Sequence, residues 1–494
     1  MKLLKFINKK YIIFFFIFIF LAIIKLHEYE RWPGPAHAEE LAFGWAGINL
    51  IETGVPVSWS TLDYPESSLV FDGIVGDKAG LYLPAKLYKP WLDQPPLYSL
   101  LSGGAAHLFG DSRDGVLPSA HTRVPSVLIS LLTMALVFYI AQKFFNYWVG
   151  ILATVFYGTS PIIVFGSRLS VPENVFALAF IGSILLVKRY LDRPTLKYAI
   201  LFGCISVLLG LMKPTGFFFA PLYMFFIVKK RRWQDLIVIF VILLAGIFAF
   251  FVYGYHYNWE LFLRILNIQS TRFAGWSGLS YIFTTPAHDI YLLYDGWYIF
   301  CLFSAIYFLF NKNKPRVISL LTFFLVYWLL VVVFSGTEQD LLPWYRYPIF
   351  PILSVFGALG FVKLYKNPNF ITTALLVGLL LSSRYLLKND FRSTTPPNVF
   401  RATYALALLP SLGHLLFKKN WMLKLSKVVI VLLFALGVFF NTKYIYNAFS
   451  IRCENVPSCT LGPSTRLSEV HLPIIWRFFI IKNYNTPSVI NPIF

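Results

Sequence analysis

Apolar residues in this chain come in long unbroken runs, not in the alternation of a half-buried strand or the one-sided stripe of a surface helix. The first run, Tyr11–Leu26, carries Lys25 as its one charge. A helix that crosses a bilayer needs roughly 17 to 25 mostly apolar residues, and about thirteen stretches here approach that measure. They are Tyr11–Leu26, Val124–Gln142, Val149–Phe165, Asn174–Val187, Tyr198–Met212, Phe217–Val228, Leu236–Gly254, Tyr291–Asn311, Val317–Gly336, Ile349–Phe361, Phe370–Leu387, Ala402–Phe417 and Val428–Asn441. The pattern predicts an all-α polytopic membrane protein.

The first two runs are separated by an uncommonly long connection, His27 to Thr122, and connections of that kind usually carry function. Within it, Ala38–Thr53 reads as a helix, apolar through Leu41, Ala42, Trp45, Ile48 and Ile51 and closed by Gly54, where a left-handed cap is expected. Pro96–Phe109 reads as a second short helix, followed by Gly110. Each is too short or too polar at its start to span, so both are expected to lie flat in the membrane interface. Further outer segments are Gly166–Glu173, Lys213–Gly216, Tyr255–Ile290, Thr337–Pro348, Lys388–Arg401 and the tail from Tyr446. No sizeable soluble domain or short repeat is visible. The expected organisation is one membrane domain over residues 1–445, with residues 27–122 as its first outer loop and 446–494 as an outer tail.

Composition supports this. Hydrophobic residues make up 57% of the chain and fifty are phenylalanine, which excludes an ordinary soluble protein. A net charge of +20 would suggest a nucleic-acid partner on a soluble chain. Here about half of the basic residues cluster in the loops on the N-terminal side of the membrane, with Asp192 and Asp235 as the acids beside them. The charge is therefore a topology signal: N-terminus cytoplasmic, long loop and tail exoplasmic, no nucleic acid. The first run ends Lys25-Leu26-His27-Glu28 without a small-residue cleavage site, so a retained anchor is expected. Cys204 and Cys301 fall within spans, while Cys453 and Cys459 lie close together in the outer tail and are a candidate disulfide pair.

Chemistry is most concentrated at Glu39 and Glu40. Acids in loops are ordinarily just solvated. These two open an apolar helix at the membrane surface, where charge is costly unless it faces water, a cation or a substrate. A carboxylate so placed can deprotonate an acceptor hydroxyl. In the hairpin Gly166–Glu173, Arg168 and Glu173 have two readings: they neutralise each other, or Arg168 joins Lys213, Arg272 and Arg346 in a phosphate clamp, for which a guanidinium fork is well shaped. Trp344-Tyr345-Arg346-Tyr347 is likewise either a set of interfacial anchors or a group that shares one anion. The chain lacks a Walker loop, a dinucleotide fingerprint, Cys/His metal spacing and a Gly-x-Ser-x-Gly elbow, which argues against nucleotide-driven transport.

The ordered set formed by His37-Ala38-Glu39-Glu40-Leu41-Ala42-Phe43-Gly44, Gln94-Pro95-Pro96-Leu97-Tyr98, Arg123-Val124-Pro125-Ser126, Ser160-Pro161, Lys213-Pro214-Thr215-Gly216 and Tyr345-Arg346-Tyr347 resembles the polyprenyl-phosphate-sugar-dependent glycosyltransferases of the GT-C superfamily. The nearest likeness is to the branch of the protein O-mannosyltransferases and lipid A aminoarabinose transferases. The resemblance implies a cell-envelope enzyme of a bacterial or archaeal membrane that takes a sugar from a polyprenyl phosphate to an acceptor. By that resemblance Glu39 is the base or metal-facing acid, Glu40 supports it, Glu173 is the second acid, and Tyr345 and Arg346 lie near the lipid phosphate. Two departures stand out. The family often has lysine before Pro-Pro, whereas Asp93-Gln94 precede Pro95-Pro96 here, leaving Lys89 as the substitute; and glutamate replaces the usual aspartate at position 39. If a divalent ion is used, Glu39 and Glu40 are its expected ligands. The competing class is a transporter or flippase, which predicts charges near span centres rather than at their outer ends.

Overall fold

A computed structural model describes residues 9–33, 37–76, 82–113, 117, 119–271, 295–311, 315–335, 343–387 and 396–453. The first part of the chain forms α1 (Lys9–Leu26), α2 (His37–Thr53), strands β1 (Ser58–Trp59), β2 (Leu69–Gly76) and β3 (Tyr82–Tyr88), α3 (Pro96–Leu108) and α4 (Ser119–Thr122). Helices follow as α5 (Val124–Phe144), α6 (Tyr147–Thr159), α7 (Pro161–Gly166), α8 (Glu173–Asp192), α9 (Leu196–Gly210), α10 (Phe219–Lys229) and α11 (Trp233–Ser270). The remainder is α12 (Gly296–Phe310), α13 (Arg316–Val333), α14 (Phe350–Lys366), α15 (Phe370–Leu380), α16 (Pro397–Phe417) and α17 (Asn420–Cys453).

Among the described residues, 7 helical stretches are long and apolar enough to cross a membrane, and each remaining expected span falls on a shorter apolar helix. The spans pack through small residues, as helices do where lipid is as apolar as leucine. In α14, a Cβ on Gly357 would meet Cys301 Sγ at 2.4 Å and one on Gly360 would meet Ser304 Oγ at 2.1 Å, so both glycines admit α12. α14 is accordingly the most enclosed span, whereas α11, α16 and α17 expose most of their apolar surface. Cys301 is buried in this seam and Cys204 is exposed.

Two boundaries differ from the expected ones. α11 does not stop at Gly254 but runs on to Ser270, breaking at Asn258 (φ −170°, ψ 104°), whose side-chain oxygen accepts from Leu261 N and restarts the helix. The extension packs on the first loop through Leu261, Phe262 and Ile265 against Tyr64 and Leu92. Arg264 also meets Asp63 at 2.6 Å. α17 carries the last span on to Cys453, and Cys459 lies outside the described residues, as does Arg272.

Both helices expected in the first loop form, and their apolar sides are turned into each other. Gly54 (φ 72°) and Gly110 (φ 80°) follow them in the left-handed conformation expected of glycine there. The all-α expectation missed a small antiparallel sheet of order β1-β3-β2 between them. The α2–α3 seam is closer than side chains allow: a Cβ on Gly47 would lie 1.8 Å from the Ser99 carbonyl oxygen, and one on Gly103 2.3 Å from Ile48 N. Backbone cannot swing aside as a side chain can. Gly47→Ala should therefore destabilise the protein by about 1–3 kcal/mol through overpacking, read as a lowered unfolding temperature in detergent; an unchanged midpoint would contradict this seam.

Candidate active site

Glu39 and Glu40 occupy the first turn of α2, and successive residues on a helix point in directions roughly 100° apart. The two carboxylates therefore diverge. Glu40 turns inward and is 1% exposed. Arg123, which precedes α5, grips it with both arms: Nε donates to Oε1 at 2.7 Å and Nη2 to Oε2 at 2.9 Å. Ser170 N donates to the same Oε1 at 2.8 Å. The remaining arm of Arg123 donates to the carbonyls of Tyr29 (2.7 Å) and Pro33 (2.9 Å), tying the α1–α2 connection to the same point. Around Ser170 a hydroxyl network joins two further elements, α3 through Ser102 at 3.0 Å and Tyr98 at 3.3 Å, and α4 through the Thr122 carbonyl accepting at 2.8 Å. Glu40 is thus an anchor that joins α2, α5 and the 167–172 hairpin.

Glu39 turns the other way and keeps 21% of its side chain exposed. It faces Lys213, whose ammonium lies 3.3 Å from Glu39 Oε2 and 2.8 Å from Glu173 Oε1. The ring of Tyr345 covers the same ammonium, with its centroid 4.6 Å away. Each partner is delivered by backbone geometry. Glu173 is the first residue of α8, where the unpaired N–H groups and the helix dipole favour a carboxylate. Lys213 caps the end of α9 through its N–H to the Leu209 carbonyl (3.1 Å), and its own carbonyl accepts from Gly216 N. Leu97 N donates to the Leu211 carbonyl at 3.1 Å, which holds the Pro95-Pro96 turn against this loop. Burial works against the charge on Lys213, but Glu173 and then Glu39 reverse that, so its pKa is held above the ordinary lysine value. Arg346 is fully buried on the segment Pro343–Ile349, one residue from Tyr345.

The expected site residues thus separate into groups. Glu39, Glu173, Lys213 and Tyr345 meet, and Arg346 lies next to them in sequence. Glu40 is drawn off by Arg123, a residue the sequence offers only as part of a span-opening motif. Arg168 takes neither expected role: it donates to the carbonyls of Ile24 (2.8 Å), Lys25 (3.1 Å) and Trp32 (2.9 Å), closing the C-terminal end of α1. Burial lowers its pKa to about 9. Lys89 is exposed just beyond β3, where its backbone N–H donates to the Ser68 carbonyl at 2.8 Å. A divalent ion does not fit between Glu39 and Glu40, because Glu40 is occupied by Arg123 and Ser170 while Glu39 faces an ammonium. No group of three or more His, Cys, Asp or Glu converges among the described residues.

Residues 93–256 match the family model of dolichyl-phosphate-mannose-protein mannosyltransferase. No curated protein matches the chain. Among solved structures it is similar to ArnT from Cupriavidus metallidurans in the apo state, with 14% identity, TM-score 0.52, and 91% of this chain and 77% of that one covered. The same enzyme bound to undecaprenyl phosphate aligns with 15% identity, TM-score 0.52, and 89% and 78% coverage. Arabinosyltransferase EmbB from Mycobacterium smegmatis aligns with 12% identity, TM-score 0.56, and 88% and 41% coverage. These likenesses show that the chain shares its fold with ArnT and EmbB. The likeness to the protein mannosyltransferase family model is confined to residues 93–256, about a third of the chain.

Proposed function

We propose that this integral membrane protein transfers a sugar from a polyprenyl-phosphate donor to an acceptor hydroxyl at the outer face of a bacterial or archaeal cell membrane, with its N-terminus in the cytoplasm. The observation that carries the reading is the triad around Lys213: a partly open carboxylate, Glu39, and a buried one, Glu173, share one ammonium beneath the Tyr345 ring. In the proposed step the acceptor oxygen attacks the anomeric carbon, the bond from that carbon to the phosphate oxygen breaks, and the phosphate leaves with the electron pair. Glu39, reachable from outside, takes the proton of the acceptor hydroxyl. Lys213, Tyr345 and Arg346 stabilise the charge that develops on the leaving phosphate, in a setting with little water to screen them. Glu173 holds Lys213 in place. The sugar is a hexose or pentose, and the bound lipid phosphate of ArnT supports the donor class.

The test supplies the purified protein in nanodiscs with radiolabelled undecaprenyl-phosphate sugars and a membrane extract as acceptor. A new covalent glycoside together with released undecaprenyl phosphate is expected. Movement of intact lipid-linked sugar across the bilayer without any glycoside would replace this reading with a flippase.

A further inference from the structure

We infer that Tyr347 and the second oxygen of Glu173 form a subsite for a hydroxyl group of the donor sugar, apart from the cations that face its phosphate; this rests on the function proposed above. Lys213 uses Glu173 Oε1, while Oε2 is buried and has no hydrogen-bond partner among the described residues. The Tyr347 hydroxyl is also buried and without a partner there, in a side chain that is 1% exposed. Buried polar atoms are almost always satisfied, and two such atoms near one another mark a place where a ligand or water completes them. Packing brings their carriers together: the Tyr347 ring lies on Gly166, whose carbonyl accepts from Asn174, the residue after Glu173, and the segment Pro343–Ile349 packs on α8, which Glu173 opens.

The chemistry of the two atoms selects the ligand class. A carboxylate oxygen can only accept and repels an anion, so the phosphate is the wrong occupant. A phenol both donates and accepts. A sugar hydroxyl satisfies both at once, donating its proton to Glu173 Oε2 and accepting from the Tyr347 O–H. The Tyr347 ring is held in place by close packing on Gly166, where an added Cβ would lie 2.8 Å from two ring carbons. Gly166 and Glu173 stand at the two ends of the same hairpin, and Asn174 fixes that hairpin by donating to the carbonyls of Gly166 (3.2 Å) and Leu169 (2.8 Å).

The experiment compares binding of undecaprenyl phosphate, undecaprenyl-phosphate mannose and undecaprenyl-phosphate arabinose to the full-length protein in nanodiscs. The unsubstituted protein should prefer at least one sugar-bearing lipid over the bare one. Tyr347→Phe should remove roughly 10- to 100-fold of that preference, leave affinity for undecaprenyl phosphate unchanged within about twofold, and unfold at the same temperature. Gly166→Ala, whose Cβ would press on the Tyr347 ring at 2.8 Å and on its hydroxyl oxygen at 3.1 Å, should lose the preference in the same direction. A preference that survives Tyr347→Phe would show that the two atoms hold water only and overturn the subsite. Equal weakening of all three lipids would overturn it too, by placing Tyr347 at the phosphate or in the packing. If the unsubstituted protein binds the bare lipid but favours no sugar, the subsite fails while the proposed function stands. If it binds none of the three, both fall.

Discussion

Replacing Glu39 with glutamine is expected to slow sugar transfer by about 10²- to 10⁴-fold, the range for loss of a positioned general base, with the unfolding temperature nearly unchanged. The reason is its setting: 21% of the side chain is open, and its one described ionic contact, to Lys213, is long at 3.3 Å. Glutamine keeps the shape and can still accept from that ammonium, but it cannot take a proton. Glu40→Gln should do the reverse at the level of the fold. Its carboxylate receives three donors from Arg123 and Ser170, and an amide turned toward Arg123 leaves a buried guanidinium without its counter-charge. Breaking a buried pair in that way costs about 3–5 kcal/mol. Measured together, transfer rate and thermal midpoint in detergent separate the two adjacent acids. Full activity in Glu39→Gln would remove the base assignment, and an unshifted midpoint in Glu40→Gln would remove the anchor.

Lys213→Met is expected to damage both quantities at once. Without the ammonium, Glu173 is left buried beside Glu39, and an uncompensated buried charge again costs about 3–5 kcal/mol unless the group takes up a proton. Transfer should fall by at least about 100-fold, since the charge facing the leaving phosphate disappears. Lys213→Arg should restore much of the midpoint but little of the rate, because the 2.8 Å contact to Glu173 under the Tyr345 ring suits a compact ammonium and not a planar fork. A Lys213→Met protein with wild-type transfer would refute the role of Lys213 at the phosphate.

The class of this protein was legible early because lipid imposes the same demand on every span, and runs such as Tyr11–Leu26 answer it openly. The caps of α2 and α3 were legible for a local reason, since Gly54 and Gly110 stand where a left-handed residue is needed. The extension of α11 past Gly254 was not, because its aromatic and polar residues read as loop until they meet Tyr64 and Leu92. The sheet between α2 and α3 escaped too. Its strands are short, and β1 has 2 residues, too few for any alternation to show.

The site divides along the same line. From its sequence alone the chain declared that it is a polytopic membrane protein, that candidate acids and cations gather at the outer ends of the spans, and that Glu39, Glu40, Lys89, Arg168, Glu173, Lys213, Tyr345 and Arg346 are the residues worth following. Residue type and spacing suffice for that, because burying charge in lipid is too costly to happen without cause. Only the tertiary structure decided which charges meet. It sent Glu40 to Arg123 and Arg168 to the end of α1, and left Glu39 with Lys213 and Glu173, residues brought together from positions 39, 173 and 213. A helix turns its neighbouring side chains apart while packing brings distant ones together, and no local pattern in the chain encodes that exchange.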